Sequence, residues 1–576
     1  MSISAIIHAG QSALLTAQTQ ISVTSTNIAN ASSEGYTAKR ADTATTMVGG
    51  RTTGVTVIGV GNDIDRALMA EVMGATSSAS YDATLAAYME SMLSALGATE
   101  QGSHLEGAMT DLMLALSDAV SAGGSANAQT AVEDALAAWT ATLGTASAST
   151  QSARTAADEG IGEAVEQVNV LLLQLDDLNQ QIARANATGA STADLLDTQR
   201  VALEELSSYL DVNSYRTGTG ELRIYSAGGE ALLTSSARVL SYAPYGPMTA
   251  EAIYDPSGAG TIGGITIGGE DVTAKLTGGQ IGALLELRDR ELPAIQAELD
   301  ALAIGVRDAI NTAANSASPV PAPQSLTSDA AVDPLAAFSA SGTLTLLETD
   351  TEGTVVGSTD IDLSTLASYQ DLLDALDAAP GISAALDGNG RLQLSADSAG
   401  NGVALTGDTN VATDGRSLSH HLGFNSILSG SGGSDMAIAS GIETQGLPVA
   451  VPGSSTVGDT ALGTGDSSGL QAIWSALDSP ISFETSGHLP ASQASAVSQI
   501  AKIIDGTADR TEAANDRAAH TAATRDALAT EFDNAHGVNV DEEMARLVAF
   551  EQAYQTSSQI LSTAQDMFDS LMQMMR

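Results

Sequence analysis

Cysteine is missing from all 576 residues, aromatic side chains make up 3% of them, and lysine occurs three times. The first absence excludes disulfides, thiolate nucleophiles and cysteine-held metals. The scarcity of basic groups is as informative. Lysine and arginine number 22 against 69 aspartates and glutamates, a net charge of −47. Nucleic acid and anionic membrane surfaces both need a basic patch, so neither is an expected partner. No run of 18 apolar residues exists. Even Val170 to Leu175 contains Gln174 and is followed by Asp176 and Asp177, so no membrane insertion is expected. The opening Met-Ser-Ile-Ser-Ala-Ile-Ile-His has no basic n-region and no uninterrupted apolar h-region, so no cleaved secretory signal is expected. Charged residues are still only 16% of the chain, which argues against a disordered polyanion. With 43% hydrophobic residues, many of them alanine, thin Ala-packed helical layers fit better than one large core.

What is present is concentrated at the two ends. Ile7, Leu14, Ile21 and Ile28 recur at seven-residue spacing, with Gly10, Ala17 and Thr24 as a second row between them. At the far end the pattern returns as Leu547, Tyr554, Leu561, Phe568 and Met575, interleaved with Phe550, Ser557, Ala564 and Leu571. Rows alternating by three and four lie on one helix face, the narrow seam of a coiled coil. Two such seams favour helices that meet each other or a neighbouring subunit. The large aliphatic residues of the first seam stabilise by on the order of 10 kcal/mol when buried. Ordering each helical residue costs ~1–2 kcal/mol of backbone entropy, several times more in sum. The ends are therefore expected to be poorly ordered in a free monomer and to fold on assembly.

Between the ends, residues 46–74 read as irregular with short strand candidates, among them Gly54-Val-Thr-Val-Ile-Gly-Val60. Helical spacing runs from about 75 to 210, including a long segment from Ile161. Period-two patterning over 212–278 predicts β-hairpins, and helix returns at about 281–311. A Pro/Ala-rich stretch from Ser316 precedes a β-rich module, and Gly/Ser/Pro-rich sequence leads out of it. The expected fold class is α+β and predominantly helical. Its parts are an N-terminal coiled-coil segment (1–45), a helical rod domain with β-hairpins (46–315), an inserted β-rich domain with flexible linkers (316–464), returning rod helices (465–536) and a C-terminal coiled-coil helix (537–576).

Three segments imitate active-site motifs. Gly258-Ala-Gly-Thr-Ile-Gly263 fits a dinucleotide fingerprint but lacks the strand before and helix after it. Gly465-Asp-Ser-Ser-Gly469 fits a hydrolase elbow but follows no buried strand, and Asp466 or Ser467 reads as a helix cap. Glu348-Thr-Asp-Thr-Glu-Gly353 has Thr359 where a calcium loop needs a bidentate Glu. The seven histidines are scattered, and the adjacent His420 and His421 do not share a helix face. No catalytic set, metal set or cofactor site is expected, and the chain is not read as an enzyme.

Asn27-Ile-Ala29-Asn30, followed by Ser33-Glu-Gly35-Tyr36-Thr37 and Lys39-Arg40, resembles the N-terminal signature of flagellar axial proteins. Ser33 and Glu34 stand where that family usually has Thr-Pro. His536-Gly537-Val538-Asn539-Val-Asp541-Glu542-Glu543-Met544 resembles the matching C-terminal signature, with His536 replacing a serine. Asn539 and Glu542 are spaced as a capping box, and Asp541 to Glu543 complement the helix dipole. Leu178-Asn-Gln-Gln-Ile182, Asp194-Leu-Leu-Asp-Thr-Gln-Arg200 and Gly278-Gly-Gln-Ile-Gly-Ala-Leu-Leu-Glu-Leu-Arg-Asp289 resemble the members that join hook to filament. The resemblance implies an extracellular structural subunit, exported uncleaved by the type III apparatus with a chaperone on its C-terminal helix. The implied partners are copies of itself in a ring, hook protein, the second hook–filament junction protein and then filament. Another axial protein of hook or rod type, or a secreted acidic adhesin or surface protein, is the alternative.

Overall fold

The computed structural model describes residues 3–48, 51–97, 104–218 and 220–574. Met575 of the C-terminal row lies outside them. Helix α1 (Ile3–Ala29) leads into a two-stranded antiparallel hairpin, β1 (Lys39–Val48) and β2 (Arg51–Asn62). The strand candidate Gly54–Val60 falls within β2, β1 stands where no strand was expected, and the boundary expected at residue 45 falls inside β1. The hairpin's Thr/Val-rich strands suit a half-buried pleat, and two register shifts, at Asp42/Thr43 and Thr46/Met47, break the simple alternation that would have announced it.

The body begins with α2 (Arg66–Ala95), capped by Asp65, whose carboxylate accepts from the backbone N–H groups of Ala67 and Leu68. Then follow α3 (His104–Ser121), α4 (Ala126–Thr188) and α5 (Ala193–Tyr209). Helix α4 is continuous for 63 residues. The helical segment expected from Ile161 is only its second half, because Gly144, Gly160 and Gly162 interrupt the apolar pattern without breaking the helix. Two of these glycines are packing sites: a Cβ on Gly160 would meet Leu284 at 3.2 Å, and one on Gly162 would meet Pro244 at 3.0 Å.

Residues 212–278 supply two small antiparallel sheets, as the period-two pattern predicts. One is β3 (Val212–Arg216), β4 (Leu222–Ser226) and β5 (Ala231–Leu233). The other is β6 (Leu240–Ser241), β7 (Thr266–Ile267) and β8 (Glu270–Asp271). Buried arginines hold this region to the helices. Arg154 on α4 donates to the carbonyls of Thr249, Ala252 and Arg288, and Arg288 faces Asp158 at 3.3 Å and Asp289 at 2.7 Å. Helices α6 (Gly279–Glu286) and α7 (Leu292–Ala314) are joined by a π turn at Leu287–Glu291.

The β-rich module contains β9 (Ser325–Ala331), β10 (Ala340–Thr349), β11 (Val355–Asp362), α8 (Tyr369–Asp377), β12 (Ile382–Leu386), β13 (Arg391–Ala396), β14 (Gly402–Thr406) and β15 (Thr409–Val411). Strand β10 pairs with β11, β14 and β15, while β13 lies between β12 and β9. Leu326, Leu346, Leu363, Leu394 and Phe424 belong to its separate hydrophobic core. After α9 (Leu418–Leu422) come β16 (Leu428–Ser429), β17 (Ala437–Ile438) and α10 (Ile442–Gln445). The two flanks expected as flexible linkers are packed. Ser318 pairs with Ala450 in an isolated bridge, and Ala317, Ala322, Leu447, Val449 and Leu462 are buried. The Gly, Ser and Pro content that made the flanks read as linkers hides apolar residues that join the main core, and side by side the flanks satisfy their backbone groups mutually.

Helix α11 (Ser468–Asp478) has Ser467 at its N-cap without a side-chain capping bond; Ser467 donates to the Val120 carbonyl, and Asp466 just before it accepts from the Ser468 N–H at 2.8 Å. The short hairpin β18 (Ile481–Phe483) and β19 (Ser492–Ala494) precedes α12 (Ala496–His536). Helix α12 returns antiparallel along α2, as the contacts Thr511–Met89 and Arg517–Asp82 show. The chain closes with α13 (Val540–Met574). Among the described residues no helix is long and apolar enough to cross a membrane, and no group of three or more metal-ligating side chains is present.

Candidate functional site where the two chain ends meet

Helices α1 and α13 pack antiparallel. Asn27 near the end of α1 meets Glu543 near the start of α13, and Gly10 lies against Ser557 and Leu561. The contact is made by the small-residue rows: Gly10, Ala17 and Thr24 on α1, Ser557 and Ala564 on α13 are buried. A Cβ on Gly10 would sit 3.8 Å from the Ser557 carbonyl oxygen, so the two backbones approach closely. The large rows stand beside this contact. Ile7, Leu14, Ile21, Ile28, Leu547, Phe550 and Leu561 are half-buried; Tyr554, Phe568 and Leu571 are exposed, at 38%, 48% and 41%. On its other side α1 lies on the hairpin. The Ser12 hydroxyl accepts from the Val55 N–H at 3.2 Å, above Gly54, where any Cβ would collide with that hydroxyl.

The two terminal motifs converge at the base of this pair. Asn27 is fully buried and uses its whole amide. Nδ2 donates to the Lys39 carbonyl (2.9 Å) and to Glu543 Oε2 (3.0 Å), while Oδ1 accepts from the Lys39 N–H (3.1 Å) and the Tyr36 hydroxyl (3.0 Å). Glu543, 3% exposed, also holds Arg546 at 2.6 Å. Gly35 turns the chain with φ +73°, and a Cβ there would meet Val201 at 2.5 Å. The Lys39 ammonium lies 3.8 Å from the Tyr36 ring centroid and is clamped by Asp194 and Asp197 of α5. Burial pulls its pKa down; Asp194, Tyr36 and Asp197 outweigh that and leave it above lysine's ordinary value. Burial likewise pushes the Tyr36 phenol up.

Asp197 ties three segments together. It accepts from the Thr37 N–H (3.2 Å) and hydroxyl (2.6 Å) and from Asn62 Nδ2 (2.9 Å) at the end of β2. Arg200 donates to the Gly35 carbonyl at 2.9 Å and lies over the Phe532 ring of α12. The His536 carbonyl accepts from the Ala38 N–H, and its ring nitrogen from the Asp65 N–H. Both motifs and the Asp194–Arg200 segment therefore form one polar node in which Lys39 meets Asp194 and Asp197 and the Asn27 amide is fully hydrogen-bonded, while Arg200 Nε is buried without a partner.

Not every motif residue joins it. Ala29 is exposed, and Asn30 donates back to the Thr26 carbonyl. Gly537 ends α12, Val538 is half-buried, and Val540, Asp541 and Met544 are exposed. The expected capping box is half formed: Asn539 accepts from the N–H groups of Asp541 and Glu542, but Glu542 turns to Arg546 (2.5 Å), where an ion pair is available. Sequence reasoning missed Asn62 and the pairing of Asp197 with Thr37. No local signal reports a contact between positions 160 residues apart. The imitation motifs are ordinary structure. His420 is buried beside Thr312, His421 bridges Asp414 and Tyr369, and the Asp350 turn joins β10 to β11.

Three family profiles match the chain: the helical domain of flagellar hook-associated protein FlgK over residues 88–318, the flagellar basal body rod FlgEFG C-terminal region over 530–574, and the flagella basal body rod protein over 7–37. Flagellar hook-associated protein 1 of Salmonella typhimurium is 24% identical over 585 residues, covering 99% of each chain. Its Escherichia coli counterpart is 26% identical, covering 71% of this chain and 70% of its own. The flagellar hook junction protein FlgK of Burkholderia pseudomallei, a solved structure, aligns with 81% of this chain and 99% of its own at 15% identity and a TM-score of 0.47.

Proposed function

We propose, from the premise that this chain belongs to the flagellar hook-associated protein 1 family, that its antiparallel terminal helices form the docking end of a junction subunit. The chain is a structural component of the bacterial flagellum of the hook-associated type. One observation carries the finer reading. The terminal helices satisfy each other through small residues and leave Tyr554, Phe568 and Leu571 in water. A stripe of large apolar side chains on a helix that buries only Glu543, Ser557 and Ala564 is a face that a neighbour covers. In this reading Ile7, Leu14, Ile21, Ile28, Leu547, Phe550, Tyr554, Leu561, Phe568 and Leu571 line the seam between subunits. The neighbours are copies of this chain in a ring, hook protein below, and the second junction protein and filament above. During type III export a chaperone shields α13. The docking unit comprises α1, the β1–β2 hairpin and α13, the helical body carries it, and the β-rich module is an insertion. The distal turns of the two helices gain their order on assembly, whereas the node already holds their bases.

Deleting residues 540–576 tests this. The expected result is a body that remains folded, with cells that carry hooks without filaments and shed filament protein into the medium. Normal filaments on that strain would defeat the proposal.

A further inference from the structure

Beside the node, between α2, α5 and β3, lies a cavity of about 540 Å³. Its walls combine two chemistries. Ile64, Met69, Leu196 and Leu203 give an apolar lining, and three arginines, Arg66, Arg200 and Arg216, reach the same space. In a chain with a net charge of −47, three guanidinium groups around one cavity need a reason. Arg200 has Glu204 and the Gly35 carbonyl, yet its Nε is buried without a hydrogen-bond partner and its side chain is only 10% exposed. Arg216 donates to the Gln199 side chain and the Gly220 carbonyl, both neutral. Among the described residues no ion pair reaches Arg66 or Arg216. Burial, then the charge of Arg66, lowers the pKa of Arg216, as expected for a cation with no anion beside it. Asp211 is also in the wall, where burial raises its pKa, and among the described residues no ion pair joins it to an arginine.

Guanidinium groups present planar, forked donors that match carboxylates, and a desolvated fork without an anion is costly. The volume is that of a small-ligand site. We propose that this cavity binds a carboxylate carried on an aliphatic body, with Arg66 and Arg216 holding the anion and the apolar wall covering the chain. The carboxylate is either a free short-chain acid or an acidic side chain presented by a neighbouring subunit. Both use the same donors.

The test is isothermal titration of the full-length chain with sodium hexanoate, with 1-hexanol as the uncharged control of equal length. Hexanoate should bind saturably at one site and hexanol much more weakly. Arg66→Gln, on an exposed side chain, should weaken hexanoate roughly tenfold or more, as loss of a charged hydrogen bond does. Arg216→Gln should do the same if it folds. Absent hexanoate binding, equal binding of hexanol, or unchanged affinity in Arg66→Gln would overturn the proposal. Sedimentation velocity separates the sources. If hexanoate and Arg66→Gln both reduce self-association, a neighbouring subunit supplies the acid; if neither does while hexanoate binds, the ligand is free.

Discussion

Asn27 has two donors and two acceptor sites, and all four are used by groups of three residues, Tyr36, Lys39 and Glu543. Asn27→Asp changes little in size but turns donors towards Lys39 and Glu543 into acceptors, facing a carboxylate that is 3% exposed. Such a mismatch should cost roughly 3–5 kcal/mol, the scale of a broken buried charge pair. Adding Glu543→Gln to Asn27→Asp restores a donor and should recover part of the loss. Denaturant unfolding of the four proteins in that cycle measures it, and strict additivity would contradict the node. A second residue-scale test concerns Glu298 on α7. It is fully buried; it accepts from the His488 N–H, and Arg510 stands at 3.7 Å. Burial raises its pKa more than these partners lower it. An acid whose folded pKa exceeds its unfolded value holds its proton longer in the native state, so its contribution is full at low pH and lost as pH rises above the unfolded value near 4.5. Glu298→Gln cannot lose a proton. Its melting temperature relative to wild type should therefore increase between pH 4 and pH 8, as calorimetry would show; a decrease would mean that Arg510 dominates.

At the scale of elements, α13 offers a clean contrast with the body. Phe568→Asp changes a residue that is 48% exposed in the single chain and should move the monomer melting temperature by no more than about 1–2 °C, while preventing assembly. Leu175→Asp, at a fully buried position of α4, should cost several kcal/mol of monomer stability. A large loss for Phe568→Asp would place α13 in a subunit core. The helices themselves were legible, because Leu171, Leu175, Leu178 and Ile182 keep helical spacing and are buried as that spacing implies. Of the hairpin only β2 was legible, through Gly54–Val60; β1 was not, since the bulges at Asp42/Thr43 and Thr46/Met47 shift the alternation. The seven-residue rows announced the terminal pair, but periodicity cannot say which of two interleaved rows faces the chain's own partner. Here close backbone approach selects the small one.

For the whole molecule, the relevant quantity is charge. Copies of a chain at −47 repel one another, and the range of that repulsion falls from about 10 Å in 0.1 M salt to about 3 Å at 1 M. Self-association by the terminal seam should therefore strengthen as sodium chloride rises, and sedimentation equilibrium across that range should show it; weakening would point to an interface held by ion pairs. The separate core of the β-rich module was legible from composition, as Leu and Val strands between Gly-rich turns. The packing of its flanks was not, because Ser318 and Ala450 become partners only once everything between them has folded.

The node also sets an order of events. Asn27 and Glu543 are 516 positions apart, so an unfolded chain that closed this contact first would carry a loop of that length. Once α2 and α12 lie together and His536 reaches Asp65, only a few tens of residues separate the same two groups. The difference in closure entropy is about 2 kcal/mol. Refolding should thus proceed outward from the body, with Tyr36 the last tyrosine to leave water and α1 waiting, although made first, until the final residues of the chain have arrived.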